Sequence, residues 1–85
     1  MKHSYPDLPR LGNVMLSRHA QARASAQSIS DQMVEAALLQ GTIVPDGFEV
    51  VRIEHQGIVL VILERPTPFR GSKLIKTIFR RMPDR

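Results

Sequence analysis

The chain has no cysteine and no tryptophan, and its only aromatic side chains are Tyr5, Phe48, Phe69 and Phe79. Without cysteine there is no disulfide framework and no thiolate metal site, which suits a reducing compartment. Four aromatics in 85 residues make poor provision for a surface that stacks one nucleobase after another. No apolar run approaches the roughly 18 residues of a membrane-spanning helix, and the N-terminus carries no secretory core segment. A soluble, cytoplasmic protein without a membrane partner is therefore expected. His3, His19 and His55 match no metal-ligand spacing, and there is no phosphate loop, nucleophile elbow or dinucleotide fingerprint. No metal or cofactor is expected.

Acidic residues are scarce in one region above all. Residues 65–85 carry Arg65, Arg70, Lys73, Lys76, Arg80, Arg81 and Arg85 against Asp84 alone, so the net charge of +4 divides into +6 there and −2 elsewhere. Such concentration is the electrostatic footprint of a polyanion binder, or else a solubilising basic tail.

What the sequence does contain is a compact motif, Ser17-Arg18-His19-Ala20-Gln21-Ala22-Arg23. In a helix, His19 and Arg23 stand four apart on one face. An imidazole moves protons near neutral pH, and a guanidinium holds phosphate oxygens through forked donors, so the pair suits work on a phosphodiester. Ser17 reads as the N-cap of a helix to about Gln27, with Ala22 and Ala26 on the side of His19. That places the ring at the rim of the core, partly desolvated and able to accept a proton. Ser30 reads as a second N-cap, for a helix from Asp31 to Gln40 that Gly41 stops.

Residues 1–13, with Pro6, Pro9 and Gly12, read as a flexible arm before a single domain over 14–85. After Gly41 the period changes to that of strands. Thr42–Val44, Phe48–Glu54, Ile58–Leu63 and Leu74–Arg81 are candidates, with a proline-containing loop over 65–72. Strict alternation in the last puts Ile75, Thr77 and Phe79 on one face. The fold class expected is α+β, two N-terminal helices packed on a three- to four-stranded antiparallel sheet.

The order of these pieces resembles the small bacterial domains of unknown function grouped as family 4258. These open with Ser/Thr-x-His-Ala-x-x-Arg, continue through an Ile-Ser and a helix, and finish in strands. Ser17 to Arg23, Ile29-Ser30, the helix to Gly41, a hairpin centred on Gly57, and Lys76-Thr77-Ile78-Phe79-Arg80 match over about residues 14–82. The resemblance implies a RelE-like or microbial-RNase-like fold, in the group of metal-independent ribonucleases that includes barnase, EndoU and colicin nucleases. Several of those are toxins held by a cognate antitoxin or immunity protein. It implies His19 and Arg23 as the helix contribution to catalysis and Thr77 as that of the last strand. The family's second Arg is Gln27 in this chain, so that one phosphate-holding cation is either missing or supplied by Arg52 or the basic tail.

Two functions remain open at this point. In the first, an endoribonuclease, His19 moves the proton of the ribose 2′-hydroxyl, Arg23 holds phosphate and Thr77 hydrogen-bonds phosphate or ribose, while Arg18, Arg52, Arg70, Lys73, Lys76, Arg80 and Arg81 gather the RNA backbone. The second is a binding module without catalysis, using the same basic face for RNA, free or on the ribosome, or for an acidic protein.

Overall fold

Ser17 and Ser30 start the helices that their positions predict. In the computed structural model, which describes residues 2–65 and 71–81, Ser17 Oγ accepts the Ala20 N–H at 3.0 Å and α1 runs Arg18–Ala26. Ser30 Oγ accepts the Met33 N–H at 3.2 Å and α2 runs Asp31–Gln40. Each hydroxyl satisfies one of the amides that a helix start leaves without a carbonyl. α1 has only nine residues, too few to persist in water unaided. Tertiary packing holds it, through Ala20 and Ala24, both fully buried. This corrects the expected ridge of His19, Ala22 and Ala26: all three are exposed, because the alanine pair one step round the helix turns inward.

Six strands follow a single sheet: β1 Ser4–Leu8, β2 Gly12–Leu16, β3 Thr42–Pro45, β4 Val50–His55, β5 Ile58–Leu63 and β6 Ser72–Arg80. Their order across it is β1-β2-β6-β5-β4-β3. β2 and β6 are parallel and every other neighbouring pair is antiparallel. The architecture is α+β, but the expected RelE-like or microbial-RNase-like arrangement, two leading helices on a three- to four-stranded antiparallel sheet, is overturned. The sheet is six-stranded and mixed, and two strands come first. Residues 4–8 and 12–16, largely within the expected arm, form a hairpin whose Tyr5, Leu8, Leu11, Val14 and Leu16 are buried. Pro6 is tolerated because β1 lies at a sheet edge, where a missing N–H removes little pairing. Pro45 marks the opposite edge strand, and proline on a free edge discourages pairing with other chains.

The two helices cover one face of the sheet. Val34, Ala37 and Leu38 of α2 join Ile53, Leu60, Ile62, Ile75 and Ile78 in a core where each is 0% exposed. Burying a side chain of the Val, Leu or Ile type stabilises by about 1.5–3 kcal/mol. In β6 the register slips between Val61 and Ile62, opposite Thr77 and Ile75, so Lys76 is an extra residue. This bulge corrects the strict alternation read from the sequence. Ile75 and Ile78 both enter the core, whereas Thr77 and Phe79 pair with Val61 and Val59 on the face that the helices leave open.

Tyr5 ties the first hairpin to α2. It is 2% exposed, its hydroxyl donates to the Asp31 carbonyl at 3.5 Å, and the Lys2 ammonium lies 4.9 Å from its ring centre. Burial first, then the carboxylates of Asp31 and Glu35, push its hydroxyl up to about 12 from an ordinary 10. Because the folded pKa is raised, the unfolded chain releases this proton first. The contribution to stability is whole below pH 10 and is lost as pH rises towards 12. A shift of this size corresponds to about 3 kcal/mol. Tyr5 is the single tyrosine, so tyrosinate absorbance reads it alone. The native titration should have its midpoint near 12 and the urea-unfolded one near 10; coincident midpoints would refute the assignment.

Candidate nucleic-acid interface

Of β6, β2 pairs with Ser72 to Ile75 only. After Leu16 the chain leaves the sheet, and α1 takes the place of a strand beside Lys76 to Arg80. At its start the Ser17 N–H donates to the Ile75 carbonyl at 3.1 Å, and Ser17 Oγ donates to that of Lys76 at 2.9 Å. At its end Gln27 Nε2 donates to the Ile78 carbonyl at 3.0 Å and Gln27 Oε1 accepts the Arg80 N–H at 2.8 Å. A primary amide carries the donor and acceptor of a peptide unit, so this one side chain substitutes for a rung of the ladder. The Arg80 guanidinium then donates to the carbonyls of Gln27 at 2.9 Å and Ser28 at 3.2 Å, a cation on the carbonyl end of the helix.

Gln27 thus has structural work on β6. Gln27→Ala should cost about 2 kcal/mol, by removing two hydrogen bonds to the β6 backbone worth about 1 kcal/mol each. It should also speed hydrogen exchange at the Arg80 amide. Exchange there at the wild-type rate would contradict the role.

His19, Arg23 and Gln27 lie at successive turns of α1, and the Gln27 end of that line is bonded to β6. His19 and Arg23 are exposed, as are Arg18, Lys76 and Arg80. Neither α1 nor β6 contains an acidic residue. The ion pairs among the described residues lie elsewhere: Arg52 with Asp46 at 3.9 Å and Glu54 at 3.5 Å, Arg65 with Glu49 at 3.5 Å, and Arg81 with Glu54 at 3.0 Å. The positive charge is therefore segregated. Along β4 and its flanks it is matched by carboxylates, while along the seam of α1 and β6 it is not.

No family model, curated protein or solved structure matches this chain.

Of the site residues read from the sequence, the fold brings together Arg18, His19, Arg23, Lys76 and Arg80 on α1 and the half of β6 beside it. Arg52 and Arg81 stand apart, sharing Glu54. Lys73 is half-buried beside Val14, on the half of β6 that β2 covers. Thr77 is half-buried opposite Val61 on the open face, whereas α1 packs on the other. Arg70 lies outside the described residues. Among the described residues no three His, Asp or Glu side chains gather around a common metal position, and no helix is long and apolar enough to cross a membrane. Sequence reasoning missed Gln27 as the link between helix and strand, since nothing local to it indicates which strand it will meet.

Proposed function

We propose that the chain is a metal-independent endoribonuclease of the toxin type, acting in the cytoplasm, with RNA held along the seam between α1 and β6. The observation that carries this reading is the coincidence of unmatched cations with one exposed imidazole on the same seam. Arg18, Arg23, Lys76 and Arg80 attract the phosphates. His19 takes the proton of a ribose 2′-hydroxyl as that oxygen attacks its own phosphorus. Arg23, one turn away, holds the charge that develops on the phosphoryl oxygens. The P–O5′ bond breaks, the 5′ oxygen takes a proton from water, and the products are a 2′,3′-cyclic phosphate and a 5′-hydroxyl. Thr77, on the open face, has no part in this scheme. A cognate antitoxin or immunity protein would present acidic side chains to the same seam.

One observation favours a second reading, RNA binding without cleavage. Neither α1 nor β6 contains a carboxylate or a second imidazole to protonate the leaving oxygen.

Incubating the protein with total RNA in EDTA, next to binding isotherms at rising salt, separates the two. Single-stranded RNA on two to four cations should give a slope of log affinity against log salt of roughly −1.5 to −3. Cyclic-phosphate products support the nuclease. Salt-steep binding without product leaves the second reading, and absence of binding at low salt overturns both.

A further inference from the structure

The face of the sheet that the helices leave open carries an apolar row running across four strands, which ends at Ser4 on a fifth. Val50 pairs with Leu63, Leu63 with Leu74, Leu74 with Met15, and Met15 with Ser4. Val50, Leu63, Leu74 and Met15 are all half-buried. The two ends of the row differ in shape. Beyond Val50, in the turn between β3 and β4, Phe48 is 89% exposed, far more than any other large apolar side chain described. At the Met15 end lies an open pocket of about 240 Å³, lined by Ser4, Pro6, Asn13, Met15 and Ser72 together with the core residues Tyr5 and Val14. Space of about 150 Å³ already admits a benzene ring, so a phenyl side chain fits there. With strands about 4.8 Å apart, the knob and the hole are separated by roughly 19 Å across the sheet.

From this geometry we infer that a second copy of the chain docks on the open face, each Phe48 entering the partner's pocket beside Met15. A two-fold axis between Leu63 and Leu74 exchanges the ends of the row, so both knobs fill both holes and the assembly closes at two chains. Two sheets meeting face to face through alternating inner residues is a common mode of packing.

Charge favours a copy over any other occupant. The ion pairs described around β4 hold Arg52, Arg65 and Arg81 against Asp46, Glu49 and Glu54, three cations with three carboxylates. This side therefore meets its own image without net repulsion, although the whole chain is at +4. An acidic partner or a nucleic acid would be drawn to the α1 and β6 seam instead. The inference is independent of the RNA reading and leaves that seam uncovered.

Sedimentation equilibrium on the full chain tests it. The wild type should sediment at twice the chain mass. Phe48→Ala, which removes a solvent-exposed side chain and leaves no cavity in the core, should weaken the dimer about thirtyfold or more, as loss of an aromatic anchor does. Ser4→Trp, which blocks the pocket, should weaken it similarly. Mixing the two variants should give a heterodimer tighter than either variant alone, because one intact knob then meets one intact hole. A wild type that stays monomeric into the millimolar range overturns the inference. So does a dimer that neither variant weakens, or a mixture with no preference for the heterodimer.

Discussion

Replacing His19 with alanine is expected to lower RNA cleavage by at least about a hundredfold while leaving RNA affinity close to that of the wild type, since a positioned acid or base contributes about 10²–10⁴ to rate. The two effects separate because different side chains supply them. Attraction to phosphate comes from Arg18, Arg23, Lys76 and Arg80, none of which the substitution touches, and in this fold none of them is matched by a described carboxylate. His19 is exposed on α1, so its removal leaves no cavity and should not shift the melting temperature. Arg23→Gln should behave differently. It should slow cleavage and also reduce the salt slope of binding by about 0.7, the share of one phosphate contact on a single strand. Single-turnover cleavage of a short RNA in EDTA, with anisotropy for affinity, reads both. Wild-type cleavage by the alanine variant would remove the imidazole from the mechanism.

Gly41→Ala is expected to destabilise the fold by about 3 kcal/mol or more, at or above the upper end of the usual cost of overpacking. The backbone there is not the reason, because φ is −67°. Space is. A Cβ on residue 41 would collide with Cγ2 of Ile53 and stand 2.6 Å from the Ala37 carbonyl oxygen and 3.2 Å from that of Glu54. Ile53 is 0% exposed, in the middle of the core, and the Ala37 carbonyl accepts the Gly41 N–H at 2.8 Å. Neither can withdraw without disturbing the end of α2. The carbonyl of Gly41 also accepts from the Arg10 guanidinium at 2.8 Å, which reaches the Leu38 carbonyl as well at 3.0 Å, so a displaced Gly41 loosens the turn after β1 too. For a domain of this size the loss should lower the melting temperature by roughly 12–25 °C. A melt within about 3 °C of wild type, under 1 kcal/mol, would show that the helix end yields more readily than the contacts indicate.

Local chemistry made much of the fold legible in the sequence. Ser17 and Ser30 marked both helix starts because capping depends on neighbouring residues alone, and Gly41 marked the end of α2 for the same reason. Ile58 to Leu63 stood out as a strand because it is apolar on both faces and flanked by a turn. The first hairpin did not stand out. Its prolines and glycine look like punctuation until β6, far along the chain, accepts β2 as a parallel neighbour, and nothing near residue 14 records that partner. The bulge at Lys76 was hidden likewise, since it depends on how β6 registers against β5. For the site, spacing alone placed His19 and Arg23 on one helix. Arg52 and Glu54 fall on one face of β4 by spacing alone, whereas the matching of Arg81 by Glu54 needed the sheet, because those two meet only once β4, β5 and β6 are aligned.

The position of β6 has a consequence for how the molecule comes to be assembled. β6, the last in chain order of the strands described, occupies the interior of the sheet, between the hairpin made first and the meander made next. Until it arrives, those two halves of the sheet share no strand pairing and each presents a raw margin to the solvent. Long-range closure of this kind slows folding relative to a topology built from local contacts, and the half-made chain is a species that chaperones and proteases can act upon. The sheet can thus become continuous only once β6 has emerged from the ribosome.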